Sequence, residues 1–186
     1  MKNSDVQFIL WEESSLFIKL RCIVSYLKVF GAYAWEEHQV TCQTLLAVWR
    51  AFKRIELYGI LAKDHHVIVG MAFAHRVSIN HLRHITQSDY FDFLFRNLDT
   101  SVYYATRLGV RKDLQHNQIG RRLFEKLLEN LSSGGVTHVT AVVDAQNIAS
   151  VRIMERFSFS KVQQDVRFPS SYGWYRSLKG THSYTP

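Results

Sequence analysis

Val102-Tyr103-Tyr104-Ala105-Thr106-Arg107-Leu108-Gly109-Val110, followed after a short gap by Gln115-His116-Asn117-Gln118-Ile119-Gly120-Arg121, is the stretch whose reading decides the fold. The first run has the make-up of a strand. The second opens an amphipathic helix in which Ile119, Leu123, Phe124, Leu127, Leu128 and Leu131 recur at the 3.6-residue period. Strand, short polar loop, helix is a geometry that aims free backbone N–H groups at the helix entrance, where an anion such as a phosphate can sit. The helix ends at Ser132-Ser133-Gly134-Gly135, where glycine is suited to the turn that follows a last helical residue.

The surrounding chain sets bounds. At 186 residues, 47% of them hydrophobic and 13% aromatic, it suits one well-buried domain over residues 1–186 and excludes a disordered or fibrous chain. A net charge of +7 favours anionic partners without choosing among a nucleotide-bearing cofactor, a nucleic acid and a membrane surface. Cys22 and Cys42 have no C-x-x-C spacing and read as reduced packing thiols of a cytoplasmic protein. The most apolar run, Leu16 to Trp35, is broken by Lys19, Arg21 and Lys28, which argues against a membrane span.

Along the chain, Val6 to Leu10 reads as a first strand. Two helices follow, roughly Ser14 to Phe30 and Glu36 to Lys53. Leu57 to Ala62 and Val67 to Ala74 form a hairpin around Lys63-Asp64-His65-His66. Ser78 to Thr100 reads as irregular, with a helical turn around Tyr90 to Phe95. After the central stretch, Val136 to Val143 is a strand, Asn147 caps a helix running to Phe157, and strands near Ser158 to Phe168 and Trp174 to Leu178 finish the chain. The expected architecture is a mostly antiparallel sheet with helices on both faces.

The run Leu108-Gly109-Val110, five residues, then Gln115-x-x-Gln118-x-Gly120-Arg121 resembles the acyl-CoA binding motif of the GNAT superfamily of N-acyltransferases, written Gln or Arg, any two, Gly, any one, then Gly or Ala. A second block, Asp144 to Phe159, resembles that family's later strand-to-helix segment, which typically ends in Tyr, three residues, Gly-Phe. The two blocks have the order and spacing that the family requires. The resemblance implies an α/β (α+β) GNAT fold: a twisted, mostly antiparallel sheet of about seven strands flanked by about four helices. It also implies acetyl-CoA, or another acyl-CoA, as co-substrate.

Residue by residue, the resemblance implies that Gln115, His116, Asn117, Gln118, Ile119, Gly120 and Arg121 cradle the pyrophosphate. Leu108, Gly109 and Val110 would offer backbone groups to the pantetheine amides where the fourth and fifth strands splay apart, with the Val110 N–H available to an oxyanion. Arg111, Lys112, Arg121 and Arg122 concentrate positive charge around the loop, and each can equally be a solvated helix-face residue. Asn147 is a helix cap that in the family also lies beside the pantetheine. Three departures stand out. Gln118 replaces the motif's first glycine, and either narrows the cradle or adds a side-chain donor. Met154 stands where the family has the tyrosine that protonates the departing thiolate, and Ser158 replaces the glycine before Phe159. Tyr104 falls where some members carry a glutamate base on the fourth strand.

For the base, Tyr104, His138, His75 and Asp144 are candidates, each with a structural reading beside it. A thiol pKa of about 8.5 lets a thiolate leave without an enzymatic acid. The histidines His65, His66, His75, His81 and His84 fit no closed metal site by spacing. Three functions compete: an N-acyltransferase attacking a thioester with a primary amine in a ternary complex, a CoA-binding sensor or interaction module without catalysis, and a nucleic-acid-directed acyltransferase. Against the last, the charge clusters at the loop and no aromatic-basic motif appears. The acceptor is unidentified, a homodimer is left open, and no membrane partner is expected.

Overall fold

The computed structural model describes residues 6–34, 56–86, 101–115, 117–164 and 170–178, with side chains omitted at 26–34, 85–86 and 163–164. In chain order these form β1 (Gln7–Leu10), α1 (Leu16–Ala34), β2 (Leu57–Asp64), β3 (Val67–Arg76), α2 (Ile79–Thr86), β4 (Val102–Val110), a 3-10 turn (Lys112–Leu114), α3 (Ile119–Ser133), β5 (His138–Asp144), α4 (Ile148–Arg156), β6 (Ser160–Gln164) and β7 (Ser171–Ser177). The seven strands make one sheet in the order β1-β2-β3-β4-β5-β7-β6. Its β1–β2, β5–β7 and β6–β7 ladders are antiparallel, and β4 pairs with β5 in parallel. The expected second helix from Glu36 to Lys53, the turn from Tyr90 to Phe95, and Cys42 lie outside the described residues. Among the described residues no helix is long and apolar enough to cross a membrane.

Contacts divide the chain into two units: residues 1–74 with 107–127, and residues 75–106 with 128–186. In the first, Trp11, Cys22, Leu61, Ile68, Met71 and Phe73 form the core. Trp11 meets Phe73 edge-on, ring centroids 5.3 Å apart. A side chain at Gly59 would collide with the Phe73 ring and the Trp11 Cβ, so only glycine leaves room for that pair. At Gly70 an added Cβ would come within 2.8 Å of Leu123 Cδ1 and 3.1 Å of the Gly109 carbonyl. That glycine therefore lets α3 and β4 approach β3 closely. All six apolar positions counted on α3 from its period are buried.

In the second unit, Val77, Leu82 and Val102 form a buried cluster, with Tyr104, Val142, Val162 and Tyr175 packed on it. Thr137 ties the entry of β5 to Ser101: its Oγ1 accepts from the Ser101 N–H at 3.0 Å and donates to the Ser101 carbonyl at 2.9 Å. One element differs in kind from expectation. The segment after Ser78 begins as a helix, α2, because the Ser78 Oγ accepts the His81 N–H at 3.3 Å while Leu82 is buried beneath it.

Candidate active site

In the first unit the site is a turn between a strand and a helix. β4 ends at Val110, and the Arg111 N–H continues the strand contact by donating to the Val69 carbonyl at 2.8 Å. The 3-10 turn follows, with Leu114 buried beneath it. Gln115, extended at φ −60° and ψ 157°, reaches back so that its Nε2 donates to the Val110 carbonyl at 3.3 Å. His116 lies outside the described residues, and Asn117 is exposed.

Gln118 then adopts φ 59°, the left-handed conformation that favours glycine. The backbone thus turns here as a glycine would turn it, although the residue is glutamine. Its carbonyl accepts the Arg122 N–H at 3.0 Å, the first i to i−4 bond of α3. The N–H groups of Ile119, Gly120 and Arg121 precede that ladder and have no helical partner. Ile119 sends its side chain into the core, so only its backbone faces the turn.

Gly120 lies at an open place. Among the described residues an added Cβ would meet only Val110 Cγ2, at an ordinary 3.5 Å. The described residues thus leave room for a side chain there. Arg121 donates from Nη1 to the Gln118 side-chain oxygen at 3.2 Å, while its Nε is buried with no hydrogen-bond partner among the described residues. A buried donor left unpaired costs about 1–3 kcal/mol, which an incoming acceptor would recover. Two other cations of the cluster, Arg111 and Arg122, are engaged. Arg111 makes a bidentate pair with Asp113, at 2.6 and 3.0 Å, which holds that carboxyl below its usual range. Arg122 lies over the Phe8 ring, 4.6 Å from its centroid.

Leu108 and Val110 are half-buried on β4 and Gly109 is buried. The ladder between β4 and β5 is registered from Val102↔His138 to Tyr104↔Thr140, although β4 continues to Val110 and β5 to Asp144.

The second unit holds the remaining candidates. Tyr104 is half-buried on β4, its ring set edge-on to His75 with centroids 5.9 Å apart. His75 is buried, and its Nε2 faces the Nε2 of His81 at 3.4 Å. His138 is in hydrogen-bond contact with Thr137 Oγ1 at 2.8 Å through Nδ1 and stacks on Tyr175. Asp144 behaves as a turn residue, its Oδ1 accepting the Gln146 N–H at 2.8 Å and its Oδ2 the Ser170 hydroxyl at 3.3 Å. Asn147 caps α4, its Oδ1 accepting the Ser150 N–H at 3.2 Å. Met154 is buried at 3% exposure and offers a thioether where a phenol is expected. Among the described residues no group of three or more His, Cys, Asp or Glu is placed to hold a metal ion. The His75–His81 contact is the feature that sequence spacing missed, because it depends on α2, a short helix in a stretch whose sequence reads as irregular.

Comparison with known proteins bears on the family and the fold. The model of the acetyltransferase (GNAT) family matches residues 22–159. No curated protein matches the chain in sequence. Among solved structures, PH1933 from Pyrococcus horikoshii OT3 superposes with a TM-score of 0.64 at 16% identity, covering 92% of this chain and 98% of that one. Arabidopsis thaliana NAA60 in complex with a bisubstrate analogue gives 0.62 at 16%, covering 94% and 100%. The PaiA N-acetyltransferase of Thermoplasma acidophilum in complex with coenzyme A gives 0.59 at 12%, covering 92% and 99%. At such identities these likenesses establish the fold.

Proposed function

The chain belongs to the acetyltransferase (GNAT) family, and from that premise we propose that it is an acyl-CoA-dependent N-acyltransferase. In this reading the whole of residues 1–186 forms one such domain, acetyl-CoA is the acyl donor, and the acceptor is a primary amine on a small molecule, peptide or protein. The observation that carries the reading is the turn at Gln118. A left-handed residue at the motif's glycine position opens α3 and leaves three N–H groups ahead of the helical ladder.

The pyrophosphate of CoA suits that cradle. The backbone of Gln115, His116, Asn117, Gln118, Ile119, Gly120 and Arg121 would surround it, aided by the positive end of α3. The space beside Gly120 accommodates it, and the unpaired Arg121 Nε supplies a charge-assisted bond. Leu108, Gly109 and Val110 would hold the pantetheine amides through their backbone, a role supported by the end of the β4–β5 register at Tyr104. The Val110 N–H would serve the developing oxyanion. Asn147, which caps α4, keeps the role beside the pantetheine that the family resemblance implies for it as an expectation. The amine nitrogen attacks the thioester carbon directly, the C–N bond forms, and the C–S bond breaks to release the thiolate.

One observation favours a second reading. Met154 is buried and cannot protonate a thiolate, as expected of a CoA-binding module that has given up catalysis. Release of CoA thiol, followed over a panel of primary amines with acetyl-CoA, decides between them. The enzyme predicts turnover that depends on the amine. Tight CoA binding with no turnover on any amine contradicts it and favours the module.

A further inference from the structure

We propose that the outward face of α1 is a membrane-contact surface, which lays Leu16, Phe17, Leu20 and Val24 into the headgroup region of a bilayer rich in anionic lipid. The inference is independent of the acyl-transfer reading and concerns a helix which that reading does not use.

Of the six large hydrophobic side chains exposed among the described residues, four lie on this helix, so the exposure is concentrated rather than scattered. Leu16 is 60% exposed, Phe17 66%, Leu20 47% and Val24 44%. At the helical repeat these four share an arc of about 100°. The other side of α1 is already fixed. Cys22 and Ile23 are buried, and Ile18 packs on the core that holds Trp11, Met71 and Phe73. The outward stripe therefore cannot be turned inward without exposing a second one.

Charge decides what meets this face. α1 contains Lys19, Arg21 and Lys28 and no acidic residue; Glu12 and Glu13 lie in the turn before it. Lys19 and Arg21 flank the apolar arc, about 60° beyond one edge and about 40° beyond the other. The Arg21 guanidinium lies over the Phe17 ring, 5.2 Å from its centroid. Lys19 Nζ stands 5.4 Å from the Trp11 ring centroid and donates to the Glu12 carbonyl at 3.5 Å. A guanidinium resting on an aromatic face keeps its charge for a phosphate.

An apolar stripe between two cations is the make-up of a helix that lies in a membrane interface. The four side chains form a ridge on one helix, and a bilayer receives a projecting ridge without a matching pocket. The net charge of +7 draws the chain toward an anionic leaflet. A second copy of this chain is the poorer occupant, because a face that pairs with itself would bring these cations against their equals. The expectation of no membrane partner rests on the lack of a spanning stretch, and a helix lying in the surface needs none.

Co-sedimentation of the full chain with vesicles tests the proposal, using phosphatidylserine mixed with phosphatidylcholine beside phosphatidylcholine alone. Wild type should bind the anionic vesicles, and less so as salt is raised. The double variant Phe17→Ser with Leu20→Ser keeps every charge and removes two exposed apolar groups. It should bind about 10-fold or more weakly, with an unchanged melting temperature. Arg21→Gln should weaken binding about 5-fold. Wild type that stays in the supernatant at low salt, or a double variant that binds as wild type does, overturns the proposal. So does a dimer, seen by sedimentation equilibrium, that the double variant converts to monomer, since a second copy then covers the face.

Discussion

Gln118 and Ser158 share a feature that their letters conceal. Both stand where the GNAT pattern has glycine, and both hold left-handed backbone, at φ 59° and φ 55°. At Ser158 the reason is the end of α4. The Ser158 N–H donates to the Glu155 carbonyl at 3.0 Å and the Phe159 N–H to Met154 at 2.9 Å, the paired bonds of a Schellman ending that needs this conformation. In the sequence these positions read as departures from the motif, yet the backbone demand survives the change of residue. An L-residue held there costs about 1–2 kcal/mol, partly offset by the extra entropy glycine has when unfolded. Gln118→Gly and Ser158→Gly should therefore each stabilise the fold by up to about 1 kcal/mol, raising Tm by about 2–4 °C. Gln118→Gly should also keep its CoA affinity. A lower Tm in a thermal melt would show that the side chain, here the Gln118 amide accepting from Arg121, outweighs the strain. At Asn147 the expectation runs the other way. Asn147→Ala deletes the α4 cap and should cost about 0.5–2 kcal/mol in denaturant unfolding.

The elements that carry the site were legible because their local pattern agrees with their tertiary role. β4 spans Val102–Val110 as its residues suggest, and α3 buries each apolar position its period marks. Leu127→Ala, at a fully buried position of α3, should cost about 2–5 kcal/mol by urea unfolding. A loss under 1 kcal/mol would mean that the helix does not pack as described. Elements set by distant partners were less legible. β7 begins at Ser171, before the apolar run that announces it, because Ser171 pairs with Asp144 across the sheet. α2 is short, and its apolar residues Ile79, Leu82 and Ile85 are interleaved with polar and basic ones in a stretch that reads as irregular. The basic cluster was visible, but its assignment was not: Asp113 and Phe8, which engage Arg111 and Arg122, come from a turn and a distant strand.

At the scale of the whole molecule, the sheet order and the parallel pairing of β4 with β5 follow from how strands associate, and no local pattern in the sequence announces them. Burial has a consequence for pH. The Cys22 thiol, desolvated in the core of its unit, is pushed up to about 12 from 9.0. The folded protein keeps that proton after the unfolded chain has released it, so this contribution to stability is present below 9.0 and is lost as pH rises toward about 12. Unfolding free energy measured against pH should decline through that window, and the decline should be shallower in Cys22→Ala. Equal slopes would show that Cys22 does not set it. The central claim is that the turn from Gln115 to Arg121 binds the pyrophosphate of CoA, and calorimetric titration of two Gly120 variants tests it most directly. Gly120→Ala adds a Cβ that, among the described residues, meets only Val110, and should fold with wild-type stability. Gly120→Glu places a negative charge in the proposed cradle and should weaken CoA binding about 100-fold or more, at least about 2.7 kcal/mol. A folded Gly120→Glu protein that binds CoA as tightly as wild type would contradict the claim.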